Sequence, residues 1–236
     1  MNEARTLPTI ETFPDRQVLA EAAASVIGEA LNRSLCEGAA RASLVATGGS
    51  TPAAAYEALS AWPLDWSRVE VTLSDERWAA PSSPDSNERM VREHLLRGAA
   101  AAARFTPLWS DTPTPEDAAR RAETAVRRLL PADVALLGMG EDGHIASLFP
   151  GNPVLAEGLK PDGERLCLGV PSGAPAPPQP RISLTLAALL QSRLVVVLTS
   201  GEPKRRAMES ALAGAALPVR ALLDQDRTPV RILWAA

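Results

Sequence analysis

Apolar and polar positions alternate along the chain with two different periods. Between residues 16 and 35 apolar side chains recur every three or four positions, the spacing of one face of an α-helix, and Asp15 stands where a capping residue belongs. Short continuous apolar runs, typical of buried strands, separate such helical segments. The predicted helices are 16–35, 52–60, 87–97, 115–130 and 202–213, and the predicted strands are 44–47, 69–73, 133–137, 166–170, 195–198 and 230–234.

The order of these elements indicates the fold class. Continuous apolar strands that alternate with helices predict an α/β fold with a mostly parallel sheet and helices on both faces. A chain of 236 residues, 46% of them apolar, can bury one core, so we expect a single domain over residues 1–236. Five prolines between residues 171 and 180 predict an irregular loop.

Composition and charge exclude several classes of protein. The formal net charge of −4 disfavours a nucleic-acid binder, and no apolar run is long enough to predict a membrane span. The first residues have neither the basic start nor the apolar core of a signal peptide, so we expect a cytoplasmic protein. Cys36 and Cys167 lie far apart and no zinc-binding spacing is present, so no metal site is predicted.

Polar segments follow four of the predicted strands. In open parallel sheets, ligands bind beyond the carboxyl ends of the strands. The glycine-rich or charged turns after Thr47, Leu73 and Leu137, and the segment that contains Lys204, are therefore expected to form one site.

The turn Gly48-Gly49-Ser50-Thr51 has the features of an anion site. Its glycines let the backbone approach a ligand, and the helix start that follows supplies free N–H groups beside two hydroxyls. A phosphate is the anion that suits this turn best. The same residues also fit an ordinary strand-to-helix turn with a serine cap.

Charged residues near two other strand ends are candidates for binding the same ligand. Arg77 can hold phosphate oxygens with its forked guanidinium, and Asp75 can accept hydrogen bonds from sugar hydroxyls or act as a base. Lys204 lies near a helix start, and Arg181 follows the proline-rich loop. Taken singly, these segments are more typical of a solvated loop and an exposed helix surface.

The segment GMGEDGHIAS, residues 138–147, is the most informative motif, because it combines three glycines with an aspartate and a histidine. It has the G-x-G-x-x-G spacing of a dinucleotide-binding loop, but Phe149 and the proline after it interrupt the helix that such a loop requires. We interpret it as a flexible turn that presents Asp142 and His144. Imidazole is the natural proton-transfer group near neutral pH, so His144 is the candidate base; a loop histidine satisfied by the backbone is the alternative.

Together these segments resemble the glucosamine-6-phosphate isomerase/6-phosphogluconolactonase family. The matching stretches, in the family's order, are LVATGGSTPAAAYEAL, VEVTLSDERW with PDSNERMVREHLL, DVALLGMGEDGHIASLFPG, and PRISLTLAALLQSRLVVVLTSGEPK. The resemblance implies a modified Rossmann-like sheet, a phosphosugar substrate, and no obligatory metal or organic cofactor. One departure is Glu88, where the lactonases of the family commonly carry an aromatic residue.

The resemblance also separates two chemistries. The deaminase branch typically continues its Gly-His-Ile-Ala with Phe-Asn-Glu, whereas Phe149 stands here in the place of the glutamate. The lactonase branch implies hydrolysis of 6-phospho-D-glucono-1,5-lactone, a step of the oxidative pentose phosphate pathway, by His144-assisted attack of water, with Asp142 and Asp75 in support. The residues implied to bind the phosphate or sugar are Gly48, Gly49, Ser50, Thr51, Arg77, Arg181 and Lys204.

Two alternatives to the lactonase remain at this point. One is a phosphosugar deaminase or isomerase on the same fold, and the other is a non-catalytic sugar-phosphate sensor. The sequence leaves a monomer and a small homo-oligomer equally open.

Overall fold

The alternation of apolar runs and helical segments along the chain translates into ten strands and eight helices among the described residues. A computed structural model of the chain describes residues 7–173 and 178–236. The strands are β1 (Ile10–Phe13), β2 (Ala42–Ala46), β3 (Val69–Leu73), β4 (Asp75–Arg77), β5 (Arg104–Phe105), β6 (Val134–Leu137), β7 (Cys167–Val170), β8 (Arg181–Leu184), β9 (Val195–Ser200) and β10 (Val230–Ala235). The helices are α1 (Arg16–Cys36), α2 (Ser50–Ser60), α3 (Asn87–His94), α4 (Pro115–Leu129), α5 (Leu155–Gly158), α6 (Leu186–Leu189), α7 (Glu202–Leu212) and α8 (Pro218–Leu223).

Seven strands form one parallel sheet in the order β1-β10-β9-β6-β2-β3-β5. Every residue of β2 and β6 is buried, so both faces of the sheet are covered, and the predicted α/β class is confirmed. The strands β3 and β5 lie on one side of β2, whereas β6, β9 and β10 lie on the other. This reversal of order opens a crevice at the carboxyl ends of β2 and β6, where ligands bind in such sheets.

The remaining strands, β4, β8 and β7, form a small antiparallel sheet. Neither β4 nor β8 was predicted, and the expectation that residues 74–78 would suit a solvated loop is wrong, because Asp75 and Glu76 are buried. Pairing with β8 satisfies the backbone of β4, which allows so polar a segment to leave water.

Most predicted boundaries agree with the structure within two residues. In α1 the carboxylate of Asp15 accepts a hydrogen bond from the Val18 N–H at 2.8 Å, so the predicted cap is confirmed. The helix expected to open at Pro52 begins instead at Ser50. A proline is tolerated at the third helical position because the N–H groups of the first turn have no partner within the helix.

The larger errors concern short or irregular elements. The helix predicted over residues 87–97 ends at His94, because the chain turns away and passes through Gly98 with φ at +56°. The edge strands β1 and β5 and the short helices α5, α6 and α8 were not predicted. Residues 174–177 of the expected proline-rich loop lie outside the described residues.

Candidate functional site

A cavity of about 180 Å³ lies at the carboxyl ends of the central strands, beside β2 and β6. It brings together the turn after β2, the strand β4, the turn after β6, the first residue of β8 and the first turn of α7. Its lining residues are Thr47, Gly48, Gly49, Asp75, Arg77, Asn87, Gly138, Met139, Gly140, His144, Ala146, Arg181 and Lys204. A larger open groove of about 610 Å³ runs along α4 but is lined by none of the predicted site residues.

The turn after β2 brings backbone N–H groups to the cavity. Gly49 has φ at +111°, a conformation that residues with a side chain rarely adopt, and it precedes the eleven-residue helix α2. A Cβ atom on Gly48 would lie 2.0 Å from Oδ1 of Asn87, so only glycine fits against that amide. The start of α2 next to the cavity is therefore suited to an anion.

The two hydroxyls of this turn lie elsewhere. Ser50 is exposed, and the Thr51 hydroxyl is 3.0 Å from the Ser200 hydroxyl at the end of β9. Neither residue lines the cavity. The structure thus places Gly48 and Gly49, but not Ser50 and Thr51, at the cavity wall.

The strand β4 contributes its charged residues in alternation. Asp75 and Arg77 line the cavity, as side chains two positions apart share one face of a strand. Glu76 points the other way and accepts hydrogen bonds from the backbone N–H groups of Arg77, Asn87 and Glu88, each at 2.7 Å. The buried carboxylate of Glu76 therefore fixes the start of α3 beside the cavity.

Two arginines from neighbouring strands form the cationic side of the cavity. Arg77 and Arg181 are paired in the register of β4 and β8. Within the described part of the chain, the buried Nε atoms of both guanidinium groups have no hydrogen-bond partner. Burial lowers the pKa of Arg181, and the neighbouring Asp75 carboxylate opposes that effect. Two guanidinium groups that line one cavity suit an anionic ligand.

Asp75 is committed to the protein more than to the cavity. Its carboxylate accepts a hydrogen bond from the Ser147 hydroxyl at 2.6 Å and from the Ser74 hydroxyl at 3.1 Å, and it lies 3.7 Å from Nη1 of Arg181. Only 5% of Asp75 is exposed. This network joins the turn after β6 to the small sheet.

The turn after β6 holds an imidazole–carboxylate pair. Nδ1 of His144 lies 2.6 Å from Oδ1 of Asp142, and the same oxygen accepts the His144 backbone N–H at 3.2 Å. A carboxylate at Nδ1 favours the tautomer that carries its proton there, which leaves a lone pair on Nε2. His144 lines the cavity, whereas Asp142 stands behind it.

We expected this turn to be flexible, but hydrogen bonds brace it. The Gly140 N–H donates to the His144 carbonyl at 3.0 Å, and the Val219 N–H of α8 donates to the Gly143 carbonyl at 2.9 Å. A Cβ atom on Gly140 would lie 2.2 Å from the imidazole, so glycine is required beneath the pair. Among the described residues, the next helix after the turn is the four-residue α5, whereas a dinucleotide-binding loop requires a long helix at once.

The ring of Phe149 lies between two functional groups. Its centroid is 4.2 Å from that of His144, and the Arg181 guanidinium lies 5.5 Å from it on the ring face. Phe149 thus packs against the imidazole and is also in contact with the Arg181 guanidinium.

Lys204 reaches the cavity from the first turn of α7, which follows β9. Its charge faces the same space as Arg77 and Arg181. Among the residues that the structure describes, no cluster of three or more His, Cys, Asp or Glu side chains is suited to hold a metal ion. No helix in the described ranges is long and apolar enough to cross a membrane.

Fold and site together define a class: an α/β protein whose crevice brings together a helix start, three cationic side chains and an imidazole–carboxylate pair. The family model for glucosamine-6-phosphate isomerases/6-phosphogluconolactonase matches residues 14–234, and the chain belongs to this family.

Within the family, the chain is similar to proteins named 6-phosphogluconolactonase. A 6-phosphogluconolactonase of Caulobacter vibrioides is 46% identical over 96% of this chain and 97% of its own length. One from Mesorhizobium japonicum is 44% identical over 94% of this chain and 93% of its own. The crystal structure of a 6-phosphogluconolactonase from Shewanella baltica superposes with a TM-score of 0.91 at 37% identity, covering 97% of this chain and 98% of that one.

Sequence reasoning named most of the cavity but missed three contributors. Asn87 lines the cavity, Ser147 holds Asp75, and Glu76 anchors α3. Glu76 could be recognised only once residues 75–77 were known to form a strand, because the middle residue of a strand points to the face opposite its two neighbours. No signal in the sequence distinguished Asn87 or Ser147 from ordinary polar residues.

Proposed function

We propose that this protein is an enzyme that hydrolyses 6-phospho-D-glucono-1,5-lactone to 6-phospho-D-gluconate. The observation that carries the proposal is the 2.6 Å contact of His144 with Asp142 at a cavity that also holds the cations of Arg77, Arg181 and Lys204. The names of relatives that match nearly the whole chain support the same reaction.

The cations give the substrate its orientation. The phosphate binds to the N–H groups of Gly48 and Gly49, and Arg77, Arg181 and Lys204 neutralise its charge. Binding energy from this remote group fixes the lactone carbonyl next to His144, so little motion is needed for the reaction. Asp75 positions Arg181 and the turn after β6, and it contributes as a support instead of as a base.

His144 moves the protons. Nε2 takes a proton from water as the water oxygen forms its bond to C1 of the lactone. The bond between C1 and the ring oxygen then breaks, and the imidazolium returns the proton to that oxygen, which becomes the 5-hydroxyl. The carboxylic acid formed at C1 ionises and releases one proton to solution. Asp142 holds the ring and stabilises the imidazolium.

Phe149 disfavours the deaminase alternative. It places an apolar ring 4.2 Å from the imidazole, where the deaminase pattern requires a carboxylate that helps to open the sugar ring. The sensor alternative is disfavoured by the retained His144–Asp142 pair, because binding alone needs no proton-transfer group. We also propose one catalytic domain over residues 1–236, a cytoplasmic location, no cofactor or membrane partner, and a monomer or small homo-oligomer. The net charge of −4 supports the further proposal that the protein has no nucleic-acid partner.

Acid release from freshly prepared 6-phosphoglucono-1,5-lactone, measured against spontaneous hydrolysis with EDTA present, tests the proposal. We expect rapid, chelator-insensitive hydrolysis, and in His144→Asn a kcat lower by about 10²- to 10⁴-fold with KM changed only a fewfold. His94→Asn is the matched control, since His94 lies on α3 and pairs with Glu57 at 2.8 Å. A wild-type protein without acceleration would contradict the proposal, and ammonia release from glucosamine 6-phosphate would then test the deaminase.

A further inference from the structure

Asn87 is a polar residue of the cavity to which neither the sequence nor the proposed mechanism gives a role. It is the first residue of α3, it is only 3% exposed, and it lies on the cavity wall. Buried amides are normally satisfied by the protein, so each of its hydrogen-bonding atoms has to be accounted for.

The orientation of the Asn87 amide is fixed by its neighbours. Nδ2 donates to the Asp75 carbonyl oxygen at 2.8 Å, and since that oxygen can only accept, the nitrogen must be the atom on this side. The backbone N–H of Asn87 is held by Glu76 at 2.7 Å, so the start of the helix cannot shift easily. Oδ1 therefore has one defined position beside Gly48, 2.0 Å from the place that a Cβ atom on that residue would take.

Oδ1 of Asn87 accepts no hydrogen bond from the residues that the structure describes. It is not sealed from the cavity, because it is absent from the fully enclosed unpaired atoms such as Nε of Arg77 and Nε of Arg181. The carboxylate oxygens of Asp75, by contrast, already accept hydroxyls of the protein. The amide thus offers the cavity an uncommitted, uncharged acceptor.

A phosphosugar lactone needs such an acceptor. Arg77, Arg181 and Lys204 are donors that suit the phosphate, whereas the hydroxyls of the lactone ring are donors that must find acceptors when they leave water. A carbonyl-type oxygen next to the phosphate turn repels the phosphate oxygens but suits a hydroxyl near them. The 4-hydroxyl is the ring hydroxyl closest to the phosphate-bearing carbon, and the 2-hydroxyl lies beside the carbonyl that His144 serves.

We propose that Oδ1 of Asn87 accepts a hydrogen bond from the 4-hydroxyl of the substrate and so contributes to the choice of sugar. This inference rests on the proposed lactonase function and assigns one substrate contact within it. It makes Asn87 a substrate-binding residue, positioned by Glu76 and Asp75.

The test compares two proteins with three lactones. The proteins are the wild type and Asn87→Ala, and the lactones are 6-phosphoglucono-1,5-lactone, its 4-deoxy form and its 2-deoxy form. We expect the wild type to lose about tenfold in kcat/KM with the 4-deoxy lactone, because Oδ1 is left unpaired. For Asn87→Ala, kcat/KM with 6-phosphoglucono-1,5-lactone should be about tenfold below that of the wild type. Removing the 4-hydroxyl from the substrate should then lower kcat/KM of this variant by less than about twofold. Removing the 2-hydroxyl from the substrate should change kcat/KM by the same factor in both proteins.

Two further variants serve as controls. Asn87→Ser keeps a residue that suits a helix start and should behave like Asn87→Ala, which separates loss of the contact from loss of folding. Asn32→Ala on the exposed side of α1 should behave like the wild type with all three lactones.

Each outcome decides one point. If removal of the 4-hydroxyl lowers kcat/KM equally in the wild type and in the Asn87 variants, Asn87 does not contact that hydroxyl. If removal of the 2-hydroxyl lowers kcat/KM in the wild type but not in the variants, Asn87 contacts the 2-hydroxyl instead. A wild type that accelerates hydrolysis of none of the lactones shows instead that the proposed function is wrong.

Discussion

The parallel sheet and the small antiparallel sheet supply different kinds of residue to the same cavity. The parallel sheet contributes turns: the N–H groups of Gly48 and Gly49 after β2 and the His144–Asp142 pair after β6. The small sheet contributes side chains from within its strands, Asp75 and Arg77 from β4 and Arg181 from β8. The turns at the ends of the parallel strands bring the proposed reacting groups to the cavity. The charged side chains of the small sheet are instead held in place by the pairing of β4 with β8.

The difference is also one of burial. The imidazole of His144 is 28% exposed, while the side chains of Arg181 and Asp75 are 13% and 7% exposed. Charges that leave water need partners, and those of the small sheet are held by Ser147 and by one another. We therefore expect changes in the turn after β6 to act on kcat, and changes in the small sheet to act on substrate affinity and on stability.

Among the variants that keep every catalytic side chain, the largest effect is expected for Gly140→Ala. Its Cβ would lie 2.2 Å from Nδ1 of His144 and 2.5 Å from Oδ1 of Asp142, so the pair must move. A shift of about 1 Å in a reacting group lowers kcat by about 10²-fold, with KM little changed. Gly138→Ala is the matched control, as its Cβ would meet nothing within 4 Å and a much smaller loss is expected. Equal losses in the two variants would argue against a fixed imidazole.

Arg181→Lys is expected to weaken the grip of the small sheet. Lysine keeps the charge but loses the fork, so kcat/KM for the phosphorylated lactone should fall by about tenfold to thirtyfold, mostly through KM. Slow turnover of unphosphorylated glucono-1,5-lactone should stay the same, because Arg181 acts on the phosphate. Arg120→Lys on the exposed face of α4 is the control. An equal fall with both lactones would place Arg181 at the carbonyl instead.

The sequence predicted the parallel sheet far better than the small one. Four or five consecutive apolar residues, as in β6, have little choice but to be buried, and their boundaries were found within two residues. The three residues of β4 are all charged, and their burial depends on β8, more than 100 positions later in the chain. The local pattern carries no information about such a partner, so the sequence predicts no strand over residues 75–77.

The same limit applied to the site. His144 and Arg77 line the cavity, and they could be proposed from the sequence because imidazole and guanidinium groups have characteristic chemistry. Asn87 and Ser147 are ordinary residues whose role depends on an atom brought close by the fold, namely the Asp75 carbonyl and carboxylate. The binding roles of Ser50 and Thr51 stay predictions: α2 begins two residues before the predicted start, and neither residue lines the cavity.

Ser147→Ala tests the connection between the two sheets. The Ser147 hydroxyl donates to Oδ2 of Asp75 at 2.6 Å, and both residues are buried. Without this donor the carboxylate is partly unpaired, so the free energy of unfolding should fall by about 1–2 kcal/mol, as measured by urea denaturation. Ser25→Ala, which removes an exposed hydroxyl bonded to Glu29, should change it by less than about 0.5 kcal/mol. Indistinguishable variants would mean that water replaces the lost donor.

The last expected effect concerns the pH dependence of stability, and it tests whether burial of the Glu76 carboxylate in the small sheet destabilises its charged form. Burial raises the pKa of Glu76 from 4.5 to about 7, although four hydrogen bonds to its carboxylate oppose the rise. Between these values the unfolded chain has lost the proton and the folded chain keeps it. The folded state therefore binds more protons, and the contribution of Glu76 to stability falls as the pH rises through this window.

Glu76→Gln removes this titration. We expect the free energy of unfolding of the wild type, relative to that of Glu76→Gln, to fall by about 1 kcal/mol per pH unit between about pH 5 and about pH 7. The comparison cancels every other acid, because those acids titrate alike in both proteins. Glu21→Gln on the exposed face of α1 should run parallel to the wild type across the window. If Glu76→Gln also ran parallel, the carboxylate of Glu76 would be ionised throughout, and the hydrogen bonds at the start of α3 would outweigh its burial.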